Sequence, residues 1–234
     1  MLEVVIEATS RSGPLEKTQR LFDLWAAAAD LGAFSSESAE GRLGEMKIQS
    51  LVKPHAGAIN AIVEHTGIDA GAYRVLLNML AQNHYVNEQL ARVYLGIKGE
   101  EPRKVVGLDS ILYRRCAPHA DSPPFVLYIP QPLEENEQPV IRIEFARNLS
   151  QTEFDFVAGS LQIWDDIIAS GGFADTFDRI DLMEPSGECY MLSPNTVEHP
   201  CDGSPDQPVA YDALINMAIK VNATYCPIVV LEID

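Results

Sequence analysis

The sequence predicts an α+β protein in which one βαββαβ unit stands twice in tandem. Two observations carry that prediction. The run Ala72-Tyr73-Arg74-Val75-Leu76-Leu77-Asn78-Met79 returns as Ala210-Tyr211-Asp212-Ala213-Leu214-Ile215-Asn216-Met217. The landmarks before it also return: Val63-Glu64-His65 as Val197-Glu198-His199, and Trp25 with Gly32-Ala33-Phe34 as Trp164 with Gly171-Gly172-Phe173. They keep one order at about the same separations, and self-similarity of this kind constrains architecture more than any single motif.

The elements follow from side-chain periodicity. Leu2, Val4 and Ile6 alternate with Glu3 and Glu7, the pattern of a half-buried strand. Thr9–Pro14 is turn material with a proline suited to a helix start. Thr18, Leu21, Phe22, Trp25, Ala28 and Ala29 recur at helical spacing until Gly32 stops the helix. Met46, Ile48 and Leu51 predict a second strand, and Ala58–Glu64 a third. A helix opening near Asp69 places Tyr73, Leu76, Leu77 and Leu80 on one face, and Val93, Leu95 and Ile97 close the unit as a strand.

The second unit runs the same course. Ile141, Ile143 and Phe145 open it, and Phe154, Val157, Leu161, Trp164 and Ile168 stripe its first helix. Ile180-Asp181-Leu182 and Tyr190-Met191-Leu192 fall where the two middle strands are expected. Tyr211, Leu214, Ile215 and Ala218 face the core from the second helix, and Val229, Leu231 and Ile233 finish the last strand. An order of βαββαβ in each half is the split-βαβ, ferredoxin-like unit, an antiparallel sheet with both helices on one face.

Length agrees with this division. The 234 residues divide into a first unit over 1–98, a Pro-rich linker over 99–138 and a second unit over 139–234, each unit of ordinary domain size. In the linker, Phe125–Ile129 has the alternation of an added edge strand flanked by prolines.

Composition excludes several classes. The formal net charge is −17, and residues 139–234 hold 16 acids against 4 bases, while residues 1–100 hold 12 against 9. Phosphate backbones and anionic lipid surfaces are bound through summed lysine and arginine contacts, so neither nucleic acid nor a membrane is an expected partner. The start shows no basic segment followed by an apolar core, and no apolar run is long enough to span a bilayer, so a cytoplasmic setting is expected. Cys116, Cys189, Cys201 and Cys226 share no CxxC spacing and have no counterparts between the halves, which speaks for reduced thiols. No nucleophile elbow, phosphate-binding loop, dinucleotide fingerprint or HExxH is present, and no cofactor is expected.

Three sets of residues stand out. Glu64 and His65 with Asp69, and Glu198 and His199 with Asp202, bring imidazole and carboxylate together near strand ends, as a ligand or divalent-metal site requires. The plain alternative is a histidine bonding loop backbone. Arg11 and Arg147 occupy the loop before each first helix, where acylphosphatase-like enzymes of this architecture hold phosphate; neither loop carries the glycines that would wrap an anion. Asn78 and Asn216 sit off the apolar stripe of their helices as inter-repeat candidates: a bond to the linker or the neighbouring repeat, or a place facing a ligand, would explain them, and an inter-element hydrogen bond is the expected reason.

The sheet side away from the helices is expected to carry Glu3, Val5, Glu7, Arg92 and Tyr94 in one unit, and Arg142, Glu144, Ile228, Val230 and Glu232 in the other. Such a face lacks the stacking aromatics of RNA-recognition modules. Together with the charge it predicts a non-catalytic acidic module that docks on a basic protein surface, as an inhibitor or immunity-type protein does. The alternative is a small-molecule- or metal-dependent protein or hydrolase with its site near the His65 and His199 loops. A third reading is a structural role in a homo-oligomer through edge-strand pairing.

Overall fold

The computed structural model describes residues 2–34, 45–66, 71–87, 90, 92–99, 103–104, 123–128, 140–173, 187–201 and 208–233. Among them the chain is α+β, with four helices and two five-stranded sheets. The first sheet holds β1 (Leu2–Thr9), β2 (Glu45–His55), β3 (Ala58–Thr66), β4 (Arg92–Ile97) and β5 (Arg103–Lys104) in the order β2-β3-β1-β4-β5. The second holds β6 (Val126–Tyr128), β7 (Val140–Phe145), β8 (Tyr190–Ser193), β9 (Thr196–Pro200) and β10 (Ile228–Ile233) in the order β6-β10-β7-β9-β8. The helices are α1 (Glu16–Asp30) and α2 (Gly71–Asn87) in the first half, and α3 (Gln151–Ala169) and α4 (Pro208–Thr224) in the second.

The ladders of the two halves share a register. Leu2 lies opposite His65 and Val4 opposite Val63, just as Ile141 lies opposite His199 and Ile143 opposite Val197. The stretch joining the halves lengthens both sheets: β5 pairs antiparallel with β4, and β6 pairs parallel with β10. Phe125, beside β6, is buried.

Local chemistry explains the helix ends. At the start of α3 the Ser150 hydroxyl accepts the Glu153 N–H at 3.3 Å while the Glu153 carboxylate accepts the Ser150 N–H at 2.8 Å, a reciprocal capping box. The α1 start has Leu15 in that position and no side-chain cap. Both first helices finish alike. Gly32 (φ 81°) and Gly171 (φ 72°) take the left-handed conformation that a side chain resists. The next residue then donates back into the last turn, Ala33 N–H to the Ala28 carbonyl at 3.0 Å and Gly172 N–H to that of Ile167 at 2.9 Å.

Each tryptophan is wholly buried and ties its helix to its neighbour. Trp25 Nε1 donates to the Ala72 carbonyl at 2.8 Å, and Trp164 Nε1 to the Ala210 carbonyl at 2.6 Å. Burying such a side chain stabilises by several kcal/mol, on the order of 3–5 by the cost of truncation, and the paired N–H removes the penalty of a buried donor.

The helices of the two halves meet one another, with the sheets outside. The buried Asn78 on α2 donates from Nδ2 to the Gly172 carbonyl at 3.1 Å, and the buried Asn216 on α4 donates to the Ala33 carbonyl at 3.2 Å. These contacts are reciprocal: each asparagine reaches the residue just past the first-helix glycine of the opposite half. Lys220 Nζ adds a bond to the Asp30 carbonyl across the same seam.

Two expectations are corrected. The middle strands of the second half are Tyr190–Ser193 and Thr196–Pro200, so Tyr190-Met191-Leu192 is the first of the pair and not the second. Ile180-Asp181-Leu182 lies outside the described residues. Ile228 does not face outward. A β-bulge between Ile228 and Val230 turns Ile228 into the core opposite Phe145 and leaves Val229 exposed, because the extra residue inverts the alternation.

The seam leaves no room at Gly172, where an added Cβ would meet Ile167 Cγ2 at 2.6 Å and Val75 Cγ1 of the opposite half at 3.0 Å. We expect Gly172→Ala to lower unfolding free energy by about 1–3 kcal/mol in a denaturant titration. Gly159, in the α3 interior, has nothing within 4 Å of an added Cβ. Gly159→Ala should raise stability by about 0.5–1 kcal/mol in the same titration.

Candidate functional site

The outer face of the second sheet is built by simple alternation. Along β7, Ile141, Ile143 and Phe145 point into the core, so Arg142 and Glu144 point away. Along β10, Leu231 and Ile233 are buried, leaving Val230 and Glu232 outside. The pairing registers then set Tyr128, Glu232, Arg142, Glu198 and Tyr190 side by side, one from each of β6, β10, β7, β9 and β8. Val126, Val230, Glu144 and Thr196 form the next row.

The middle of the first row is tied together. Arg142 donates from Nε and Nη2 to Glu198 Oε2 at 3.1 and 2.9 Å, and from Nη1 to Glu232 Oε2 at 2.9 Å. The Tyr190 hydroxyl donates to the other oxygen of Glu198. The Tyr190 bond, and then Arg142, hold the Glu198 carboxyl below its ordinary range against the opposing effect of burial. The same bonds raise the Arg142 guanidinium, Glu198 first, and the Tyr190 phenol. Arg142 keeps 36 % of its side chain exposed, so the network orders the face more than it stabilises the fold.

The rims of this face are apolar and open. Tyr128 is 63 % exposed, Val126 53 % and Tyr190 45 %, and Leu192 at the β8 edge is 55 % exposed. The corresponding face of the first sheet is quieter: Val5, Glu7, Asn60, Ile62 and Tyr94 are all half-buried. There Glu64 accepts a bond from Gln49, and Arg92 Nη1 approaches the Tyr94 hydroxyl at 3.4 Å.

Of the two histidine–carboxylate sets, the described residues take in Glu64 with the strand position of His65, and Glu198 with His199. Glu198 and His199, adjacent on β9, face opposite sides of the sheet, Glu198 to the outer row and His199 to the core. His199 is fully buried, and neither ring nitrogen has a hydrogen-bond partner among the described residues. It lies within a strand beneath α3. Burial pushes its pKa down, and the buried Asp165 of α3 opposes that shift. His65 occupies the matching register position on β3, while Asp69 and Asp202 lie outside the described residues. No group of three or more His, Cys, Asp or Glu able to hold a metal occurs among the described residues.

Of the two loop arginines, Arg11 is exposed and Arg147 is engaged. Arg147 Nη1 donates to Glu153 Oε2 at 3.1 Å, and Nη2 to Oε1 at 2.5 Å, which with the Ser150 bonds draws the Glu153 carboxyl down to about 2. Asn78 and Asn216 lie in the seam between the halves, far from the outer face in the layering.

Sequence periodicity placed Arg142, Glu144, Val230 and Glu232 on the outer face but missed Val126, Tyr128 and Tyr190. The signal for the first two was the alternation within Phe125–Ile129, which becomes informative only once β6 has a partner. Among the described residues no helix is long and apolar enough to cross a membrane. Comparison with protein-family models, curated proteins and solved structures finds no match.

The buried imidazole gives a pH prediction with a definite sign. In an unfolded chain histidine titrates near 6.5, and His199 titrates lower in the fold. Above that value His199 adds no pH dependence. As pH falls below it the unfolded chain takes up a proton that the folded chain refuses, so stability declines. Thermal unfolding followed between about pH 7 and pH 5 should show this decline, and His199→Leu should flatten it. The imidazole nitrogen shifts of the unsubstituted protein should report a ring more than half neutral at about pH 6.5.

Proposed function

We propose that the chain is a non-catalytic protein-binding module that docks a basic partner on the outer face of its second sheet. The observation that carries this reading is the cross-strand row from Tyr128 to Tyr190, with Glu144 beside it. Three carboxylates and one guanidinium occupy the middle, and exposed tyrosine, valine and leucine occupy the rims. Aromatic anchors around a charged centre match the composition of energetically important interface positions. The acidic bias of residues 139–234 extends the same sign of field beyond the face and favours rapid encounter with a basic surface. An inhibitor or immunity-type role in the cytoplasm is the biological form this takes.

The reading includes an origin for the architecture. The two halves are a tandem duplication of a ferredoxin-like unit, 1–98 and 139–234, joined by a linker that lends a strand to each sheet. Its support is the shared ladder register, the matching tryptophan bonds and the reciprocal asparagine bonds. The alternative, a metal- or small-molecule-dependent protein acting near His65 and His199, draws little support from a His199 ring sealed in the core.

Affinity capture tests the docking reading. The unsubstituted protein should retain a basic protein at low salt and release it as salt rises through about 0.5 M, where screening shortens to a few ångström. The Glu144→Lys/Glu232→Lys pair should lose that protein, whereas Asp155→Lys, a reversal on exposed helix surface, should keep it. Equal retention by all three at low and high salt would refute the reading.

A further inference from the structure

The outer face can be resolved to a single docking position, an inference that rests on the reading just given. Arg142 spends its three donor contacts on one oxygen of Glu198 and one of Glu232, and the Tyr190 hydroxyl takes the second oxygen of Glu198. Both oxygens of Glu198 are thereby engaged, and only 12 % of its side chain is exposed. Two acceptors remain toward solvent without a partner among the described residues: Glu232 Oε1 and the exposed Glu144 carboxylate.

Register locates them. Glu232 stands opposite Tyr128 and Arg142, and Val230 stands opposite Val126 and Glu144. Glu232 and Glu144 are thus diagonal neighbours, about 7–8 Å apart at the backbone. Between them and the β6 edge lies an apolar platform of Val126 and Val230, with the Tyr128 ring at its corner. The arrangement offers an aliphatic surface, two carboxylates and an aromatic ring on three neighbouring strands, with Glu232 between Tyr128 and β7. Loss of water from this patch on docking would strengthen the attraction.

We propose that the partner protein presents one lysine or arginine whose stem lies across Val126 and Val230 and whose charged head is shared by Glu232, Glu144 and the Tyr128 ring. Charge complementarity selects the cation: a carboxylate would meet two like charges, and a purely apolar side chain would bury them unpaired. The length of the platform selects a long stem, since lysine and arginine carry three or four methylenes that cover apolar surface while the head stays at its edge. Arg142 keeps its place as the internal counter-ion that holds Glu232 upright for the incoming group.

Amide chemical-shift mapping on the full chain tests this, with acetyl-Ser-Arg-Val-Arg-Ser-amide as the probe and its Glu-for-Arg counterpart as the control. The arginine peptide should shift Val126–Tyr128, Glu144, Val230 and Glu232 saturably, and the glutamate peptide should not. Glu144→Gln and Tyr128→Ala should each weaken the midpoint about fivefold, which corresponds to about 1 kcal/mol, with the spectrum itself reporting that each variant is folded. Asp155→Asn should leave the midpoint unchanged. Saturable shifts elsewhere on the acidic surface, unaffected by Glu144→Gln, would overturn the docking position while leaving the acidic-module reading intact. Absence of any shift, with salt-sensitive capture of a partner still lost in Glu144→Lys/Glu232→Lys, would overturn the single-cation position alone. Absence of both would overturn both.

Discussion

The seam between the two pairs of helices is the constraint on which the rest of the molecule depends. Each asparagine there carries a polar amide into an apolar layer, which is costly unless its hydrogen bonds are made. Asn78 and Asn216 find acceptors in the backbone immediately past Gly171 and Gly32. Those carbonyls are available because the left-handed glycines turn the chain sharply off the helix axis. One turn geometry thus closes a helix and supplies the acceptor for the opposite half. The bonds set the registration of the helical layers, and apolar packing around Trp25, Trp164 and Met79 supplies the bulk of the energy.

Once both helical layers are committed to each other, each sheet turns one face away from the helices. That division explains why the same strands read so differently on their two sides. On β9, Val197 and His199 answer to the core, and the intervening Glu198 answers to Arg142 and Tyr190. A buried imidazole, without a bonded ring nitrogen among the described residues, and a carboxylate held by Arg142 and Tyr190 sit on consecutive residues because a strand turns successive side chains to opposite environments. Glu198 and His199, adjacent in sequence, thus present their side chains to different faces through the very periodicity that forms the strand.

This marks the limit of what could be read without coordinates. Helix stripes were legible because Phe22, Trp25, Val157 and Trp164 recur at a spacing only a helix satisfies. The outward placement of Arg142 and Glu144 was legible for the matching reason in strands. The seam role of the asparagines was legible as an anomaly, a mediocre helix former in an otherwise apolar segment. The middle strands of the second half were not, because β8 and β9 are short and separated by a two-residue turn, Pro194-Asn195, that their sequence hides among other polar residues. Ile228 was misplaced because a bulge has no signature in alternation; it is a break in it. Tyr190 and Tyr128 were invisible as neighbours of the charged row, since their proximity arises from pairing across five strands.

The two halves agree where they must and differ where they are free. At the seam and beneath the sheets the same side chains perform the same tasks: tryptophan bonded to the following helix, asparagine bonded across the interface, glycine at the turn. Even there the fit is not symmetric, for Ala33 stands where the second half needs Gly172 against Val75. On the outer faces the register equivalents diverge in kind: Val5 of the first half corresponds to Glu144 of the second, and Ile62 to Thr196. Packing density resists change in the interior, whereas an outer sheet face can change charge without disturbing the fold. An acidic, tyrosine-rimmed surface on one sheet and a quieter one on the other is therefore a difference the architecture permits but does not require.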